Sequence, residues 1–320
     1  MPRRPRVPSA LARHPFTVAQ ALDAGLSRRQ LESAVWRRLH AGVYVHRDVA
    51  VDDAVRVHAL RLAAPGGVVF AGLTAAWIHG VWTPPPGVDV PLVTTRGPAG
   101  AGIERAVHRS RRQVLRAEDD DTVVVGGVLV TSRIRTVFDL LRDVPLVERV
   151  SVLDTFAAAG LDLALFAEYL ERHRRWPGVD YARTALSLCH GASRSVGESR
   201  LRMCVVLAGL PEPWVNPSLL LTTPDGSLLR FPDLLVRGRR RVFALEFDGG
   251  YHDDLRQRDA DATRERLLVV QADLPVLRYR WANLWPAQRV MLEIARAIEW
   301  PPMNDLRPAD FARPRHRLPW

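Results

Sequence analysis

Lysine is missing from this sequence: all 45 basic residues among the 320 are arginines. Any mechanism that needs a catalytic lysine from this chain is therefore excluded. A genome rich in G and C favours arginine codons and is the simplest explanation of this bias. Arginine is nevertheless the basic side chain best shaped to bind phosphates and guanine edges.

Cysteine and long apolar stretches are scarce as well. The two cysteines, Cys189 and Cys204, are too few for a disulfide framework or a cysteine-rich zinc site. No apolar stretch approaches the ~20 residues of a membrane helix, and the basic N-terminal segment leads into no apolar block of the kind found in secretory signals. These features predict a cytoplasmic protein with no membrane segment.

Positive charge is abundant and unevenly distributed. The net charge is +10, and the isoelectric point is about 10.8. Residues 1–50 contain nine arginines and three acidic residues, whereas residues 195–300 contain fifteen arginines and fourteen acidic residues. A basic segment attached to a nearly neutral body is typical of proteins that bind nucleic acid, so DNA is the predicted partner.

The first fifty residues predict two short helices followed by a β-hairpin. Thr17 and Ser27 are helix-capping residues, and Gly25 separates a helix with a buried stripe at Val18, Ala21 and Leu22 from a second helix that runs to about residue 38. Residues 39–45 are β-prone and bent at Gly42, like the wing of a winged helix.

The second helix of this head is predicted to contact DNA. Residues at the start of a recognition helix read base edges, and flanking arginines hold phosphates. An ordinary helical hairpin with a solvated charged face is the alternative. The predicted DNA-binding residues are Arg28, Arg29 and Gln30 at the start of the helix and Arg37 and Arg38 at its end.

The body, residues 51–194, shows no phosphate-binding glycine loop and no metal-ligand spacing. We interpret its acidic run, Asp119-Asp120-Asp121, as a solvated loop, because three adjacent side chains cannot converge on one ion. Helices are predicted at 52–64, 135–141, 147–159 and 163–174, a short strand and helix within 68–80, and strands at 88–95 and 126–131.

The C-terminal region predicts a mixed sheet covered by helices, because its elements follow the order α-β-β-β-α-β-α. Three consecutive strands form a meander, and a crossover helix returns the chain to a fourth strand. The helices are predicted at 196–207, 255–271 and 286–298, and the strands at 215–222, 228–236, 242–247 and 276–279.

Four carboxylates lie at the ends of these elements. Asp233 interrupts an apolar strand, Glu246 and Asp248 are two apart on the next strand and share one face, and Glu198 is on the preceding helix. Burying an acid is costly unless it is paired or bound to a cation. If the strands are neighbours, Asp233 and Glu246 approach a common point that suits Mg²⁺ or Mn²⁺.

Two further residues extend this candidate site. His252 follows Asp248 and a Gly-Gly turn, and it is a candidate general acid or base. Arg264 is a candidate for contacting a phosphate or orienting an acid. Each member has a purely structural alternative: Ser195-x-x-Glu198 is also a helix-capping box, and the strand carboxylates could be exposed on an edge.

The motif residues of this region are Ser195-x-x-Glu198-Ser199-x-Leu201-Arg202, Asp233-Leu234, Leu245-Glu246-Phe247-Asp248-Gly249, His252, Asp261-x-x-Arg264, Val276 and Arg278. Residues 195–285 thereby resemble the Vsr-like (very-short-patch repair endonuclease-like) branch of the PD-(D/E)XK nuclease superfamily. The resemblance implies a restriction-endonuclease-like αβββαβ core and Mg²⁺-dependent DNA cleavage. It also implies that Asp233 and Glu246 bind the metal, assisted by Glu198, Asp248 and His252.

This sequence departs from that family at two places. The superfamily's usual lysine, two residues after Glu246, is replaced by Asp248, as is common in this branch. Water activation must then come from the metal, from His252 or from an arginine-ordered network. The Gly-Trp that this branch often has before the last strand is replaced by residues 272–274, Ala-Asp-Leu.

The head contains a second pattern, Phe16-Thr-x-x-Gln20-Ala-x-x-x-Gly25 followed by Leu39-x-x-Gly42-Val-Tyr44. It resembles the winged-helix N-terminal domain of type IV abortive-infection antitoxins (AbiEi-like), which implies a repressor-like DNA-binding head. A weaker match in the body, Phe70-Ala-Gly72-Leu-Thr74-Ala75-Ala76, transfers no functional residues.

Together these patterns predict a multi-domain α/β protein. Its predicted regions are a winged helix-turn-helix (1–50), a mixed α/β body (51–194), a Vsr-like nuclease domain (195–300) and a Pro/Arg-rich tail (301–320). The first functional hypothesis is an Mg²⁺- or Mn²⁺-dependent DNA endonuclease. The alternative is a DNA-binding regulator or antitoxin whose degenerate nuclease-like domain binds a cognate toxin or a repair or defence partner. The oligomeric state is left open.

Overall fold

A computed structural model describes residues 7–64, 68–83, 93–95, 119–142, 144–223, 226–230, 232–249 and 274–312. Contacts between residues group the chain into two compact units, Met1–Thr136 and Val137–Trp320. Both units combine helices with β-sheets, which confirms the predicted mixed α/β class. None of the described helices has the length and apolar character that crossing a membrane requires.

The first unit opens with two capped helices, as predicted. The Thr17 and Ser27 side chains each accept a hydrogen bond from the backbone three residues on, and Gln20 and Gln30 return a side-chain contact. Gly25 follows the first helix with φ +82°, a conformation that costs glycine little. The elements are β1 (Phe16–Thr17), α1 (Val18–Asp23), α2 (Arg28–Leu31), β2 (Trp36–His40) and β3 (Val43–His46).

The prediction that the second helix runs to residue 38 is wrong, because α2 is one turn long. Ser33 Oγ donates to the Gln30 carbonyl at 2.7 Å at the end of this turn, and the chain then enters β2. Trp36 is buried and packs edge-on against Phe16 with ring centroids 5.1 Å apart. Pairing with β3 gives the backbone of β2 its hydrogen bonds, so burial and pairing outweigh local helix propensity.

Two further residue placements differ from those predicted for the head. Arg37 and Arg38 lie on strand β2 of the hairpin rather than at the end of a helix. Leu22, predicted to be in the buried stripe of α1, is 42% exposed, whereas Ala21 is fully buried. The residues predicted to be β-prone form part of the β2–β3 hairpin, and β1 joins it to make a sheet of order β1-β3-β2.

The rest of the first unit is a four-stranded sheet with helices. The predicted strand at 88–95 lies mostly outside the described residues, and β6 was not predicted. The elements are α3 (Asp53–Ala63), β4 (Val69–Phe70), α4 (Gly72–Ile78), β5 (Thr94–Thr95), β6 (Thr122–Val125) and β7 (Val128–Thr131), with sheet order β5-β4-β7-β6. Helix α5 (Arg133–Leu141) begins in the first unit, and the boundary between the units falls within it, after Thr136.

One residue of the acidic run before β6 is buried rather than solvated. Asp119–Asp121 forms a 3₁₀ turn, and Asp121 is buried in an ion pair with Arg135, whose side chain is fully buried. A buried guanidinium is costly unless a carboxylate neutralises it and accepts its hydrogen bonds. The solvated-loop prediction is therefore wrong for Asp121, while Asp120 is exposed.

The second unit is built on helices that pack together and against a sheet. α6 packs against both α8 and α9, and α9 packs against β12. α8 was not predicted, whereas α9 has its predicted bounds. The helices are α6 (Leu146–Ala158), α7 (Leu163–Arg172), α8 (Val179–Leu188), α9 (Val196–Leu207) and α10 (Ala287–Ala297), and the strands are β8 (Trp214–Val215), β9 (Leu219–Thr223), β10 (Gly226–Arg230), β11 (Leu234–Arg237), β12 (Val242–Asp248) and β13 (Val276–Arg280).

Two of the predicted strands, 215–222 and 228–236, are each divided in two. β9 pairs with β10 as a separate hairpin, while β8 and β11 belong to a four-stranded sheet of order β13-β12-β11-β8. The first break falls at Asn216, which has φ +45°, and Pro217, which has no N–H for a ladder.

The direction of the strands in this sheet follows the predicted meander and crossover. β8 and β11 are antiparallel, as are β11 and β12, while β12 and β13 are parallel. The helix predicted at 255–271 as the crossover connection lies outside the described residues.

Candidate active site

Two of the predicted carboxylates meet where β11 and β12 lie side by side. Leu234 pairs with Leu245 in this antiparallel arrangement. Asp233, one residue before Leu234, therefore lies across from Glu246, one residue after Leu245. Asp233 Oδ2 accepts a hydrogen bond of 2.7 Å from the Phe247 N–H. This bond holds the half-buried Asp233 carboxylate against β12, beside Glu246.

Glu198 reaches the same place from α9. Gly197 allows this approach, because a Cβ atom there would lie only 2.0 Å from the Phe247 ring. Glu198 is buried, and its Oε2 accepts hydrogen bonds from the Arg194 N–H at 2.8 Å and from Asn216 Nδ2 at 2.9 Å. Close contact between α9 and β12 therefore places a third carboxylate near Asp233.

Only half of the helix-capping box that was the alternative role of Glu198 is formed at the start of α9. Ser195 Oγ accepts a hydrogen bond of 3.1 Å from the Glu198 N–H, so Ser195 does cap the helix. The Glu198 carboxylate is held instead by Arg194 and Asn216. Its orientation is thus set by the loop before α9 and by the chain after β8.

The electrostatics of Asp233 show an excess of negative charge. Burial is the largest cause that raises the pKa of Asp233 to about 7, and the charges of Glu198 and Glu246 raise it further. The Phe247 hydrogen bond and the Arg194 charge act in the opposite direction. Perturbation by burial together with like charges is typical of catalytic carboxylates, although structural networks also produce it.

The two carboxylates of β12 are paired with arginines of β13. Glu246 lies opposite Arg278, and Asp248 lies opposite Arg280, with N···O distances of 2.9 Å in both pairs. The Glu246 side chain is 19% exposed and that of Asp248 is 38% exposed. Arg278 belonged to the family-like motif without an assigned role, and Arg280 was not predicted.

The donor chemistry of this carboxylate cluster, defined as Glu198, Asp233 and Glu246, fits a hard divalent cation. The described residues include no group of three or more His, Cys, Asp or Glu side chains arranged to hold a metal. Mg²⁺ commonly takes one or two protein carboxylates and fills its other positions with water and substrate phosphate. Asp233 and Glu246 are the pair that fits this mode.

The remaining predicted catalytic residues, His252 and Arg264, lie outside the described residues. Asp248 is at the end of β12, two residues beyond Glu246 and on the same strand face. Of the six predicted catalytic residues, the structure therefore brings Glu198, Asp233 and Glu246 together. Asp248 lies two residues beyond Glu246 on the same strand.

Asn216 is a site residue that the sequence analysis missed. Its N–H donates to the Asp233 carbonyl at 2.8 Å, while Nδ2 donates to both the Ala192 carbonyl at 2.7 Å and Glu198 Oε2. Its left-handed backbone, at φ +45°, is tolerated by asparagine better than by most residues. The Asn-Pro pair is a turn signal that could have located it.

The predicted DNA-binding residues are exposed in the first unit. Arg28 and Arg29 are on α2, whose four residues span only about 6 Å. The Gln30 side chain closes the Ser27 capping box. Arg37 donates to the Val49 carbonyl at 2.7 Å, and Arg38 donates to the His40 carbonyl at 3.3 Å. Two of the four predicted arginines therefore lie on the one-turn helix α2 and two on the β2–β3 hairpin, and their binding of DNA stays a prediction.

Comparison of the chain with protein-family models, with curated proteins and with solved structures finds no match. The two family resemblances therefore stay predictions based on the motif residues.

Proposed function

We propose that this chain is an Mg²⁺-dependent DNA endonuclease of the cytoplasm, with a DNA-binding head in its first unit. The observation that carries the proposal is that Asp233, just before β11, lies beside Glu246 on β12 and near Glu198 on α9. Asp233 is held there by the 2.7 Å bond from the Phe247 N–H. Glu246 is paired with Arg278, but Glu198 and Asp233 leave the half-buried group with more acid than base, which favours binding of a cation.

The strand directions of the second unit support this proposal. In the αβββαβ core that the resemblance implies, a helix precedes three antiparallel strands and a fourth strand runs parallel to the third. α9, β8, β11, β12 and β13 follow that order, while the predicted crossover helix lies outside the described residues. Asp233 lies just before the start of β11, and Glu246 lies near the end of β12 beside it. The family resemblance implies metal-binding carboxylates at these two positions.

In this proposal each residue of the cluster has a distinct role. Asp233 and Glu246 would hold the divalent ion, which when bound lowers the pKa of water and neutralises charge that develops on the phosphate. Glu198, fixed by Arg194 and Asn216, adds negative charge next to Asp233. Arg278 and Arg280 neutralise Glu246 and Asp248 when no cation is present.

The test is cleavage of supercoiled plasmid and of matched and mismatched duplexes with Mg²⁺, Mn²⁺ or EDTA. Asp233→Asn and Glu246→Gln remove ligand charge with little change in shape, and we expect each to slow metal-dependent cleavage about 1,000-fold, equivalent to about 4 kcal/mol. Asp180→Asn changes an exposed carboxylate of α8 and serves as the matched control. Equal cleavage by wild type and both site variants, or no cleavage of any substrate, would contradict the proposal.

A second candidate function is favoured by the two ion pairs between β12 and β13. If Arg278 and Arg280 permanently neutralise Glu246 and Asp248, the second unit needs no metal and could bind a cognate toxin or a repair or defence protein. The chain would then be a DNA-binding regulator. Site-specific DNA binding that is lost in Arg28→Gln/Arg29→Gln, together with an absence of cleavage, would favour this function.

A further inference from the structure

The turn between β11 and β12 carries a dense group of arginines that the proposed nuclease chemistry does not use. The arginine turn comprises Arg237, Arg239, Arg240 and Arg241, which are all exposed, with Gly238 buried among them. Four of its five residues are therefore cationic, and the turn connects the two strands that carry the carboxylates.

The backbone of the arginine turn is held in one conformation. The Gly238 N–H donates to the Arg241 carbonyl at 2.9 Å, and the Arg239 N–H donates to the Ile298 carbonyl, just after α10, at 3.0 Å. A Cβ atom at Gly238 would lie 2.9 Å and 3.0 Å from the same two carbonyl oxygens, so the turn is closely packed there. A preformed turn presents its cations with little loss of backbone entropy on binding.

The ion pair that Arg240 of this turn makes with Glu299 is exposed to solvent. Arg240 lies 3.3 Å from Glu299, but their side chains are 83% and 51% exposed. An ion pair that is this exposed contributes little and can be exchanged for another anion. The turn thus offers several arginine side chains to an extended polyanion.

A second arginine group in the same unit provides a contrast. Arg172, Arg174 and Arg175 are also exposed, at the end of α7, but Glu168 and Glu171 precede them within one or two helical turns. Acidic side chains at this spacing lower the local positive potential. The three α7 arginines therefore serve as a control for replacing three of the turn arginines, because they are also exposed but have acidic neighbours.

The position of the arginine turn relates it to the carboxylate cluster. It precedes β12, whose opposite end carries Glu246 and Asp248, and a strand of this length spans about 20 Å. With an axial rise of about 3.4 Å per base pair, that distance corresponds to about six base pairs of duplex.

We propose that the arginine turn binds the phosphate backbone of duplex DNA several base pairs away from the carboxylate cluster. The choice of DNA as the polyanion rests on the proposed function. The turn provides sequence-independent affinity within the second unit, in addition to that of the head. Arginine guanidinium groups bind phosphate oxygens with two parallel hydrogen bonds, which lysine could not supply.

The test measures binding of the full-length chain to a labelled 20-base-pair duplex in EDTA over a range of salt concentrations. The test variant is Arg237→Gln/Arg239→Gln/Arg240→Gln, and the control is Arg172→Gln/Arg174→Gln/Arg175→Gln. Each lost phosphate contact lowers the slope of log K against log salt by about 0.9, so we expect the test variant to lose about 2 to 3 in slope. We expect its Kd in 0.1 M salt to weaken on the order of 100-fold, and that of the control to stay within about twofold.

Equal slopes for the two triple variants, with melting temperatures like that of wild type, would overturn the proposal. The proposal would also be overturned if the test variant lost binding to phosphatidylserine vesicles but kept its affinity for the duplex. Because the measurement is made in EDTA, it does not depend on cleavage. A wild-type protein that never cleaves DNA but shows the expected slopes would overturn the proposed function and leave this inference standing.

Discussion

Helix α9 carries buried polar and charged side chains on two sides, and the two sides differ in how their charge is balanced. Toward α6, Asp154 accepts hydrogen bonds from Ser199 Oγ at 2.7 Å and from the His190 N–H at 2.9 Å, and lies 3.3 Å from Arg202. Toward the sheet, Glu198 lies near Asp233, and its charge disfavours ionisation of Asp233.

The difference separates a charge arrangement that stabilises the fold from one that costs stability. The Asp154 network has a cation and several donors for one carboxylate, and Asp121 is likewise paired with Arg135 in the first unit. The carboxylate cluster has an excess of acid, which is unfavourable in the absence of a ligand. Strain of this kind is concentrated at functional sites, where binding of a ligand relieves it.

The largest expected effect is on the balanced side. Asp154→Ala would leave Arg202 buried without its carboxylate and remove the acceptor of Ser199, so we expect the free energy of unfolding to fall by about 3 to 5 kcal/mol. Urea denaturation measures this. Asp180→Ala, which breaks an exposed pair with Arg183, is the control and should cost less than about 1 kcal/mol. Similar losses in the two variants would break the comparison.

The next effect concerns the contact that brings the unbalanced side together. Gly197→Ala places a methyl group into the Phe247 ring, and we expect a loss of about 1 to 3 kcal/mol in the free energy of unfolding. In a helix without this contact, the same substitution would stabilise by about 0.5 to 1 kcal/mol. Thermal or urea denaturation therefore distinguishes the two cases by sign, and a stabilised variant would show that α9 does not need this approach.

A smaller effect, dependent on pH, is expected at Asp233. The pKa of its carboxyl is near the ordinary value of 3.8 in the unfolded chain and about 7 in the folded one, so the folded chain binds more protons between these values. Stability due to this group is therefore lost as the pH rises toward 7. Asp233→Asn cannot ionise, and in EDTA we expect it to exceed the wild type by about 1 to 2 kcal/mol at pH 8 and to match it near pH 4. A difference that does not change with pH would contradict the excess of negative charge.

The smallest effect on stability is expected at the arginines of β13. Arg278→Gln removes a partly exposed partner of Glu246, and we expect the free energy of unfolding to change by less than about 1 kcal/mol. Because Arg278 and a cation compete for the same carboxylate, Mn²⁺ should bind about threefold more tightly, which calorimetry measures. A large loss of stability with no gain in Mn²⁺ affinity would favour the regulator over the nuclease.

Local signals were sufficient for the elements that start at capping residues. Ser195 sets the first residue of α9, and Thr17 and Ser27 set those of α1 and α2, because a side-chain cap acts within three residues. The end of α2 could not be predicted in this way. The partner that draws residues 36–40 into a strand is β3, and the burial of Trp36 depends on Phe16.

The same limit applies to the candidate site. Alternation along β12 was enough to place Glu246 and Asp248 on one face, and an acid within an apolar strand was enough to single out Asp233. The arginines opposite the two β12 carboxylates depend on a parallel register, and Asn216 depends on where β8 meets the loop before α9. Contacts between residues far apart in sequence leave no periodic trace.

The sequence alone determined the mixed class of the protein, the first residues of its capped helices, the uneven distribution of charge and the identity of the acidic residues, since each depends on residue type and short-range spacing. The tertiary structure decided which charges are neutralised and which are not. Asp121 and Asp154 are each paired with a buried arginine, whereas Asp233 lies near other carboxylates. The energy of a buried charge depends on the distance to its neighbours and on the water it has lost, and both quantities exist only in the folded chain.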